Sequence, residues 1–182
     1  MIKGTNIDLR LVGEKDLDYI YSTTTDLSNT GEYWPIMLET KKDFLDKFAQ
    51  SGFWNNDFGK MLIVDKEDNI LGEMNYFKGL WYMPGYEIGY RIYSPKDRGK
   101  GFSSEALELF VDFLFKSKQI NRLEIETDVN NIGSKRIAEK CGFVVEGIKK
   151  QSCFMNGRYR DNVIMGLVKE DYFKGKINSN LV

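Results

Sequence analysis

The stretch that organises this chain is Pro95-Lys96-Asp97-Arg98-Gly99-Lys100-Gly101-Phe102-Ser103-Ser104-Glu105-Ala106. It places a glycine-rich, basic loop between an alternating strand pattern and a long apolar helix pattern. Its glycines let a ligand approach the backbone closely, its serines can cap the helix, and a helix N-terminus attracts anions. Arg98 and Lys100 add positive charge. The loop therefore predicts a site for a phosphate-bearing cofactor.

Composition limits what else the chain does. Its 182 residues and 42% hydrophobic content predict one domain with a proper core. A formal net charge of −1 argues against recruitment of nucleic acid or of an anionic membrane surface. We expect a cytoplasmic protein, because the sequence shows no secretory signal, no membrane-spanning apolar run and no cysteine framework.

Two residue types narrow the chemistry. The sequence contains no histidine, so acid–base chemistry near neutral pH must use carboxylates, tyrosine, serine, cysteine, the backbone or water. Its two cysteines, Cys141 and Cys153, follow no metal-ligand spacing. We therefore expect free thiols and no bound metal.

Hydrophobic periodicity predicts the order strand, helix, helix, three strands, helix, strand, helix, two strands. The predicted strands cover residues 7–12, 61–65, 70–76, 86–92, 122–128, 143–154 and 160–168. The predicted helices cover residues 14–24, a segment capped by Thr40 and Asp43, residues 104–118 and residues 131–140. This order predicts an α/β (α+β) fold in which helices flank one mixed sheet. Residues 1–174 form the predicted domain, and residues 175–182 form a polar C-terminal tail.

Three phosphate-loop patterns compete at this loop. The Walker string G-x-x-x-x-G-K-[ST] does not occur. The dinucleotide pattern G-x-G-x-x-G fits Gly99 and Gly101 but meets Ser104 at its third glycine, and repeated βαβ units are missing around it. The third pattern, R/Q-x-x-G-x-G/A, is followed from Arg98 to Ser103, with Ser103 as the small residue at its end.

A second motif supports the third pattern. It reads Asn131-Ile132-Gly133-Ser134-Lys135-Arg136-Ile137-Ala138-Glu139-Lys140-Cys141-Gly142-Phe143 and lies one helix and one strand downstream. Together the two motifs resemble those of the GNAT (Gcn5-related N-acetyltransferase) superfamily, over residues 7–172. Three further stretches resemble its branch of RimJ, RimL and related amine acetyltransferases: Glu87-Ile88-Gly89-Tyr90, Glu146-Gly147 and Asn156-Gly157-Arg158-Tyr159-Arg160-Asp161.

The resemblance implies a mostly antiparallel sheet that is splayed at a site for acetyl-CoA. The pantetheine arm is then expected on backbone groups of Arg91, Ile92 and Tyr93, one of which holds the thioester carbonyl. Asn131 is expected to reach the pantetheine amide. The expected diphosphate site consists of the loop N–H groups and two cations: Arg98, Gly99, Lys100, Gly101, Phe102, Ser103 and Ser104.

The expected reaction is direct attack by a primary amine in a ternary complex. Glu87 is the first candidate for positioning a water that takes the amine proton, although it could equally be a surface carboxylate paired with Arg91. Glu73 is a weaker candidate. Ser134 matches the serine that serves in Rim-type enzymes, where it could donate a proton or order a water, although it could also simply satisfy the first turn of a helix.

Two positions depart from the family pattern. Ala138 stands where many GNAT enzymes carry the tyrosine that protonates the leaving thiolate. Cys153 stands near a position where Rim-type enzymes can carry a carboxylate. These departures leave room for a non-catalytic acyl-CoA-binding module.

The sequence does not identify the amine that accepts the acetyl group. Aromatic side chains that could line its pocket are Tyr33, Trp34, Tyr76 and Trp81, but large aromatic residues more often pack in a core or a lid. Three functions remain: acetylation of a protein N-terminus, acetylation of a small amine such as a polyamine, and acyl-CoA binding without turnover. A homodimer that pairs through the final hairpin is also consistent with the sequence.

Overall fold

The computed structural model describes residues 1–179 and contains one eight-stranded sheet in the order β1-β2-β3-β4-β5-β6-β8-β7. The strands are β1 Ile2–Lys3, β2 Asp8–Leu11, β3 Phe58–Val64, β4 Ile70–Lys78, β5 Gly85–Ile92, β6 Arg122–Asp128, β7 Val144–Met155 and β8 Arg158–Val168. The helices are α1 Leu17–Thr25, α2 Lys41–Ser51, α3 Phe102–Ser117, α4 Ile132–Lys140 and α5 Lys169–Ser179. The mixed sheet flanked by helices confirms the predicted fold class.

The sheet is splayed at its centre. Every other neighbouring pair of strands is antiparallel, whereas β5 and β6 run parallel. Within the described chain their register begins at Gly85↔Arg122 and ends at Glu87↔Glu124, although β5 continues to Ile92 and β6 to Asp128. The two strands therefore diverge over their second halves, as the resemblance implied.

Apolar side chains pack on both faces of the sheet, in two clusters. The main core lies under α3, whose buried positions are Ala106, Leu107, Phe110, Val111, Leu114 and Phe115. A smaller core lies under α1 and α2 and contains Ile20, Phe44 and Phe53. The three- and four-residue spacing of the buried α3 positions explains why that segment forms a helix against a sheet. None of the described helices has the length and apolarity that crossing a bilayer requires.

Several local predictions are confirmed by turn and cap geometry. The Thr40 hydroxyl accepts the Asp43 N–H at 3.1 Å, which starts α2. Asn156 and Gly157 both adopt positive φ, 52° and 78°, at the turn between β7 and β8. Gly142, with φ 95°, follows the end of α4. Each position uses a residue that tolerates its backbone conformation.

Two predictions about chain ends differ from the structure. α3 begins at Phe102 after an uncapped Gly101 with φ 88°, so Ser103 and Ser104 lie in its first turn and do not cap it. Residues 175–179, expected in a loose tail, continue α5, which is held on α3 by contact of the Tyr172 ring with Phe115. Residues 180–182 of that tail lie outside the described residues.

Candidate active site

A cleft of about 620 Å³ opens where β5 and β6 diverge. The structure brings most of the predicted site residues to it: Tyr33, Trp34, Arg91, Ile92, Arg98, Gly99, Gly101, Phe102, Ser103, Ser104, Asn131 and Ser134. Five predicted residues are not part of its lining: Tyr76, Trp81, Glu87, Tyr93 and Lys100. The cleft therefore joins the loop before α3 to the start of α4, as the two sequence motifs require.

The loop before α3 leaves room for a ligand over its backbone. Gly99 and Gly101 have φ of 76° and 88°, and a Cβ added to either would meet no atom within 4 Å. Within residues 1–179, the N–H groups from Gly99 to Ser103 donate to no backbone carbonyl. The Ser104 N–H, in contrast, donates to the Gly101 carbonyl at 3.0 Å. The segment whose N–H groups are left for the predicted anion is therefore Gly99–Ser103, one residue shorter than predicted.

The two predicted cations of this loop have structural partners. The Arg98 guanidinium donates to the carbonyls of Ile92 and Tyr93, each at 3.3 Å, and so ties the loop to the end of β5. The Lys100 ammonium lies 2.8 Å from the Asp97 carboxylate and is half exposed. Arg98 still lines the cleft, but part of the Lys100 charge is neutralised by Asp97.

Backbone direction on β5 corrects one prediction. The Tyr93 N–H donates to the Leu71 carbonyl at 2.9 Å, and Arg91 pairs in register with Glu73. In an antiparallel pair the hydrogen-bonding residues alternate, so Arg91 and Tyr93 direct their backbone groups toward β4. Tyr90 and Ile92 direct theirs toward the diverging edge. The expectation that backbone groups of Arg91 and Tyr93 meet the pantetheine arm therefore does not fit this register, whereas the expectation for Ile92 stays a prediction.

Ser134 is held in place at the start of α4. Its N–H donates to the Asn131 side-chain oxygen at 3.1 Å, and the Asn131 amide nitrogen donates to the Thr127 hydroxyl at 3.0 Å. The Tyr90 hydroxyl lies 2.9 Å from the Ser134 hydroxyl and 3.1 Å from the Ser134 carbonyl oxygen. Burial raises the pKa of Tyr90 to about 12, so this hydroxyl is protonated at neutral pH. Two hydroxyls thus meet at the cleft wall.

Glu87 lies beside the cleft, on the β5 face that also carries Gly89 and Arg91. Its side chain meets solvent and forms no ion pair with the described residues. Partial burial among surrounding protein atoms raises the pKa of Glu87 above the usual 4.5. The nearby negative charges of Glu126 and Glu124 raise it further, whereas the positive charge of Lys149 lowers it. The alternative that Glu87 pairs with Arg91 is wrong, because the Arg91 Nε lies 3.1 Å from Glu73.

Glu73 is unsuited to act as a base. Only 2% of it is exposed, and its carboxylate contacts Lys60 at 2.6 Å, Arg91 at 3.1 Å and the Tyr93 hydroxyl at 2.9 Å. Despite burial, the two cations lower the pKa of Glu73 to about 2. Glu73, the weaker candidate for the base, is therefore the centre of an ion cluster that stabilises the fold.

Residues 30–34, which we call the strap, cross the cleft from the loop side to the β8 side. The Trp34 ring lies 4.6 Å from the Arg91 guanidinium and above Gly89, where an added Cβ would come within 3.7 Å of it. The Tyr33 hydroxyl donates to the Asn130 carbonyl at 3.4 Å. Both aromatic residues predicted here therefore lie at the cleft.

The other two predicted acceptor residues lie elsewhere. Tyr76 is fully buried, donates its hydroxyl to the Asn55 carbonyl and packs 4.4 Å from the Tyr86 ring in the main core. Trp81 is 87% exposed in the loop after β4, where its ring contacts Tyr82. Neither is brought to the cleft, because one points into the core and the other into solvent.

The sequence profile of the acetyltransferase (GNAT) domain matches residues 6–144, which is more than half of the chain. The chain belongs to the GNAT acetyltransferase family. It is an acetyl-CoA-dependent N-acetyltransferase that acts on amines.

Two relatives of this GNAT acetyltransferase match 94% and 70% of its length. It is 33% identical over 172 residues to the spermidine N(1)-acetyltransferase of Escherichia coli, covering 94% of this chain and 91% of the relative. It is 28% identical over 130 residues to the ribosomal-protein-serine acetyltransferase of Escherichia coli, covering 70% and 72%. The structure of a Vibrio cholerae spermidine N-acetyltransferase in complex with CoA and spermine has the same fold, with a TM-score of 0.81, 22% identity and 93% and 99% coverage.

The cleft of this GNAT acetyltransferase fits its co-substrate. Beyond the last register pair with β6, Tyr90 and the Ile92 N–H have no strand partner on that side among residues 1–179, whereas the Ile92 carbonyl is held by Arg98. The segment Gly99–Ser103 provides N–H groups beside open space. Among residues 1–179, no group of three or more metal-ligating side chains is placed to hold a metal ion.

Sequence reasoning missed several residues of the cleft, among them Tyr90, Arg136 and Lys140. Tyr90 contacts Ser134 across 44 positions, so no local pattern could reveal the contact. Arg136 and Lys140 lie in the second motif, where helical spacing from Gly133 could have placed them on one face of the helix.

Proposed function

We propose that this enzyme transfers the acetyl group directly to a primary amine of a polyamine of the spermidine class. The observation that carries the proposal is a row of carboxylates where the sheet diverges: Glu87, Glu124 and Glu126. Glu87 and Glu124 are register partners, so their side chains leave the same face of the sheet, and Glu126 follows at the next position of that face. The relatives that acetylate spermidine support the same acceptor class.

The charges of this row suit a ligand with several ammonium groups. Glu124 contacts Arg122 at 2.7 Å, and Glu126 contacts Lys149, whereas Glu87 forms no ion pair with the described residues. The raised pKa of Glu87 shows that negative charge is costly there. That cost comes first from partial burial of Glu87 and then from repulsion by Glu126 and Glu124, and a second ammonium of a bound polyamine would offset both, which a neutral amine could not do.

Glu87 is the proposed base. A free amine with a pKa of about 10 is mostly ammonium at neutral pH, so it must lose a proton before attack. A carboxylate with a raised pKa accepts that proton more readily than an ordinary surface glutamate. Because Glu87 lies beside the cleft and does not line it, we propose that a water carries the proton to it. The nitrogen–carbon bond then forms as the carbon–sulfur bond breaks.

Ser134 and the β5 backbone are proposed to act on the other side of the reacting carbon. A backbone N–H of Tyr90 or Ile92 donates to the thioester oxygen as negative charge develops, a contribution of about 3 kcal/mol for such a donor. The Ser134 hydroxyl donates its proton to the leaving sulfur as it takes one from a water in the cleft, so that no serine alkoxide is left. Tyr90 is a positioning residue, because its hydroxyl holds the Ser134 hydroxyl 2.9 Å away.

A double-mutant cycle tests this pair. We expect Ser134→Ala to lower kcat about 100-fold and Tyr90→Phe about tenfold, with the KM for acetyl-CoA nearly unchanged. The double variant should be no slower than Ser134→Ala alone, because Tyr90 acts through Ser134. Tyr86→Phe is the matched control. Tyr86 lies on β5, as Tyr90 does, but its hydroxyl donates to the Asn56 carbonyl at 3.1 Å. Additive losses in kcat would contradict the assignment.

An acceptor panel tests the proposed function. Thiol release from acetyl-CoA is measured with spermidine, spermine, a monoamine of equal length and peptides with free N-termini. We expect turnover with the polyamines and a far lower kcat/KM with the monoamine. Preference for peptides would favour the second candidate, a RimJ/RimL-type protein acetyltransferase, which the ribosomal-protein-serine acetyltransferase relative supports. Binding of acetyl-CoA with no turnover on any amine would favour the non-catalytic module.

Location and assembly belong to the same proposal. We propose a cytoplasmic enzyme, in keeping with the free thiols of Cys141 and Cys153. We also propose a homodimer through β7, an edge strand of the sheet on which Val144 and Ile148 are more than half exposed. Ile148→Lys should then lower the molecular mass in solution without changing the secondary structure.

A further inference from the structure

The cleft has a second basic wall, which faces the phosphate loop. Gly133, Arg136, Ile137 and Lys140 of α4 line the cleft. Their spacing of three, four and seven positions places them on one face of the helix. Lys135, on the same helix, does not line the cleft. Helix α4 therefore presents two cations to the cleft, one turn apart.

These two cations have no counter-charge in the described chain. Both side chains are exposed, and within residues 1–179 neither Arg136 nor Lys140 forms an ion pair or a hydrogen bond. Other basic residues on the nearby sheet are paired, as Arg122 is with Glu146 and Lys149 with Glu126. Like charges one helical turn apart repel each other. An unpaired pair on a cleft wall therefore indicates an anionic ligand.

Position along the cleft identifies the part of the ligand. Ser134 marks the proposed reacting end, and Lys140 lies six residues further along α4, about 9 Å along the helix axis. The diphosphate is already assigned to the N–H groups of Gly99–Ser103 on the opposite wall. Coenzyme A carries one more phosphate, on the 3′ position of its ribose. That phosphomonoester is the anion left without a partner.

We infer that Arg136 and Lys140 bind the ribose 3′-phosphate of coenzyme A and so select CoA over dephospho-CoA. The inference rests on the proposed placement of the cofactor. Arg136 offers a planar fork to the phosphate oxygens, and Lys140 adds a compact charge. A dianionic phosphate between them removes the repulsion that the two cations exert on each other.

Equilibrium binding tests the inference without reference to catalysis. Affinities for CoA and for dephospho-CoA are measured by calorimetry at low salt on the wild type, Arg136→Ala, Lys140→Ala and the double variant. We expect the wild type to prefer CoA by about tenfold, each single variant to lose about threefold for CoA alone, and the double variant to show no preference. Added salt should weaken CoA binding more than dephospho-CoA binding.

Two matched variants separate the site from a general charge effect. Lys135→Ala removes a cation from the same helix outside the cleft and should keep the wild-type preference. Lys140→Arg keeps the charge and should also keep it. Equal weakening of both ligands in Arg136→Ala and Lys140→Ala, or equal wild-type affinity for both, would overturn this inference alone. A wild-type protein that binds neither ligand would overturn the proposed function and this inference together.

Discussion

Two carboxylates on the same face of the sheet have opposite surroundings. Glu73 is 2% exposed and contacts Lys60, Arg91 and Tyr93, and its pKa is lowered to about 2. Glu87, on the neighbouring strand, meets solvent beside Glu126, and its pKa is raised. The difference shows that strand alternation selects the face of a side chain, whereas the neighbouring charges decide whether it holds the fold or accepts protons.

The largest expected effect follows from Glu73. Glu73→Gln leaves Lys60 and Arg91 nearly buried without their counter-charge, and we expect a loss of about 3 kcal/mol in the free energy of unfolding at pH 7. Denaturant unfolding measures this loss. Glu87→Gln is the matched control, and it should unfold at the wild-type denaturant concentration or slightly above. An unchanged midpoint for Glu73→Gln would remove the contrast between the two carboxylates.

The pH dependence of stability sharpens the same comparison. Because folding lowers the pKa of Glu73 from 4.5 to about 2, its stabilising contribution is complete above pH 4.5 and is lost as pH falls toward 2. The wild type and Glu73→Gln should therefore converge in stability over that range. The contribution of Glu87 to the free energy of unfolding has the opposite sign. Because folding raises the pKa of Glu87, ionisation of this carboxyl destabilises the folded protein, and the loss is complete above the folded-state pKa.

A smaller effect is expected on catalysis by Glu87. Glu87→Gln should lower kcat/KM about tenfold near neutral pH, because the ammonium proton loses its acceptor. The wild-type rate should fall as pH drops through the raised Glu87 pKa, and the variant should lack this acidic limb. The two proteins should approach each other at a pH where the amine is already neutral. Identical pH profiles would count against Glu87 as the base.

The smallest effect concerns Lys149, whose charge lowers the pKa of Glu87. Lys149→Met removes that charge and also leaves Glu126 without its partner, so the acidic limb should move up by about 0.3 pH unit. Lys150→Met is the control, because Lys150 pairs with Asp161 at 2.8 Å. If the acidic limb of the pH–rate profile is unchanged in Lys149→Met, a group other than Glu87 controls it.

Local patterns in the sequence located the loop before α3 and the N-terminus of α4, although the predicted site also includes Tyr93 and Lys100, neither of which lines the cleft. The loop around Gly99 and Gly101 and the cap at Asn131 depend on neighbouring residues and helix termini, and the structure places them in one cleft. The splay between β5 and β6 came from the family resemblance, because no composition or periodicity reveals where two strands stop pairing.

The acceptor end required tertiary information. Tyr76 and Trp81 look alike as aromatic candidates, yet one is in the core and the other in solvent. Tyr76 lies on β4 against Phe110 of α3, whereas Trp81 lies in the loop after that strand. The backbone direction of Tyr93 depends on its register with β4. The contact of Tyr90 with Ser134 joins two motifs that the sequence separates by a helix and a strand.

The short junction between β5 and β6 has a mechanical consequence. Three register pairs join these strands in the described chain, against seven between β4 and β5, so the two parts of the sheet meet at a weak seam. An extended pantetheine arm along Tyr90 and Ile92 would supply the main-chain bonds that the seam lacks. The thermal stability of the protein would then rise with cofactor occupancy, so the melting temperature would report how much cofactor is bound.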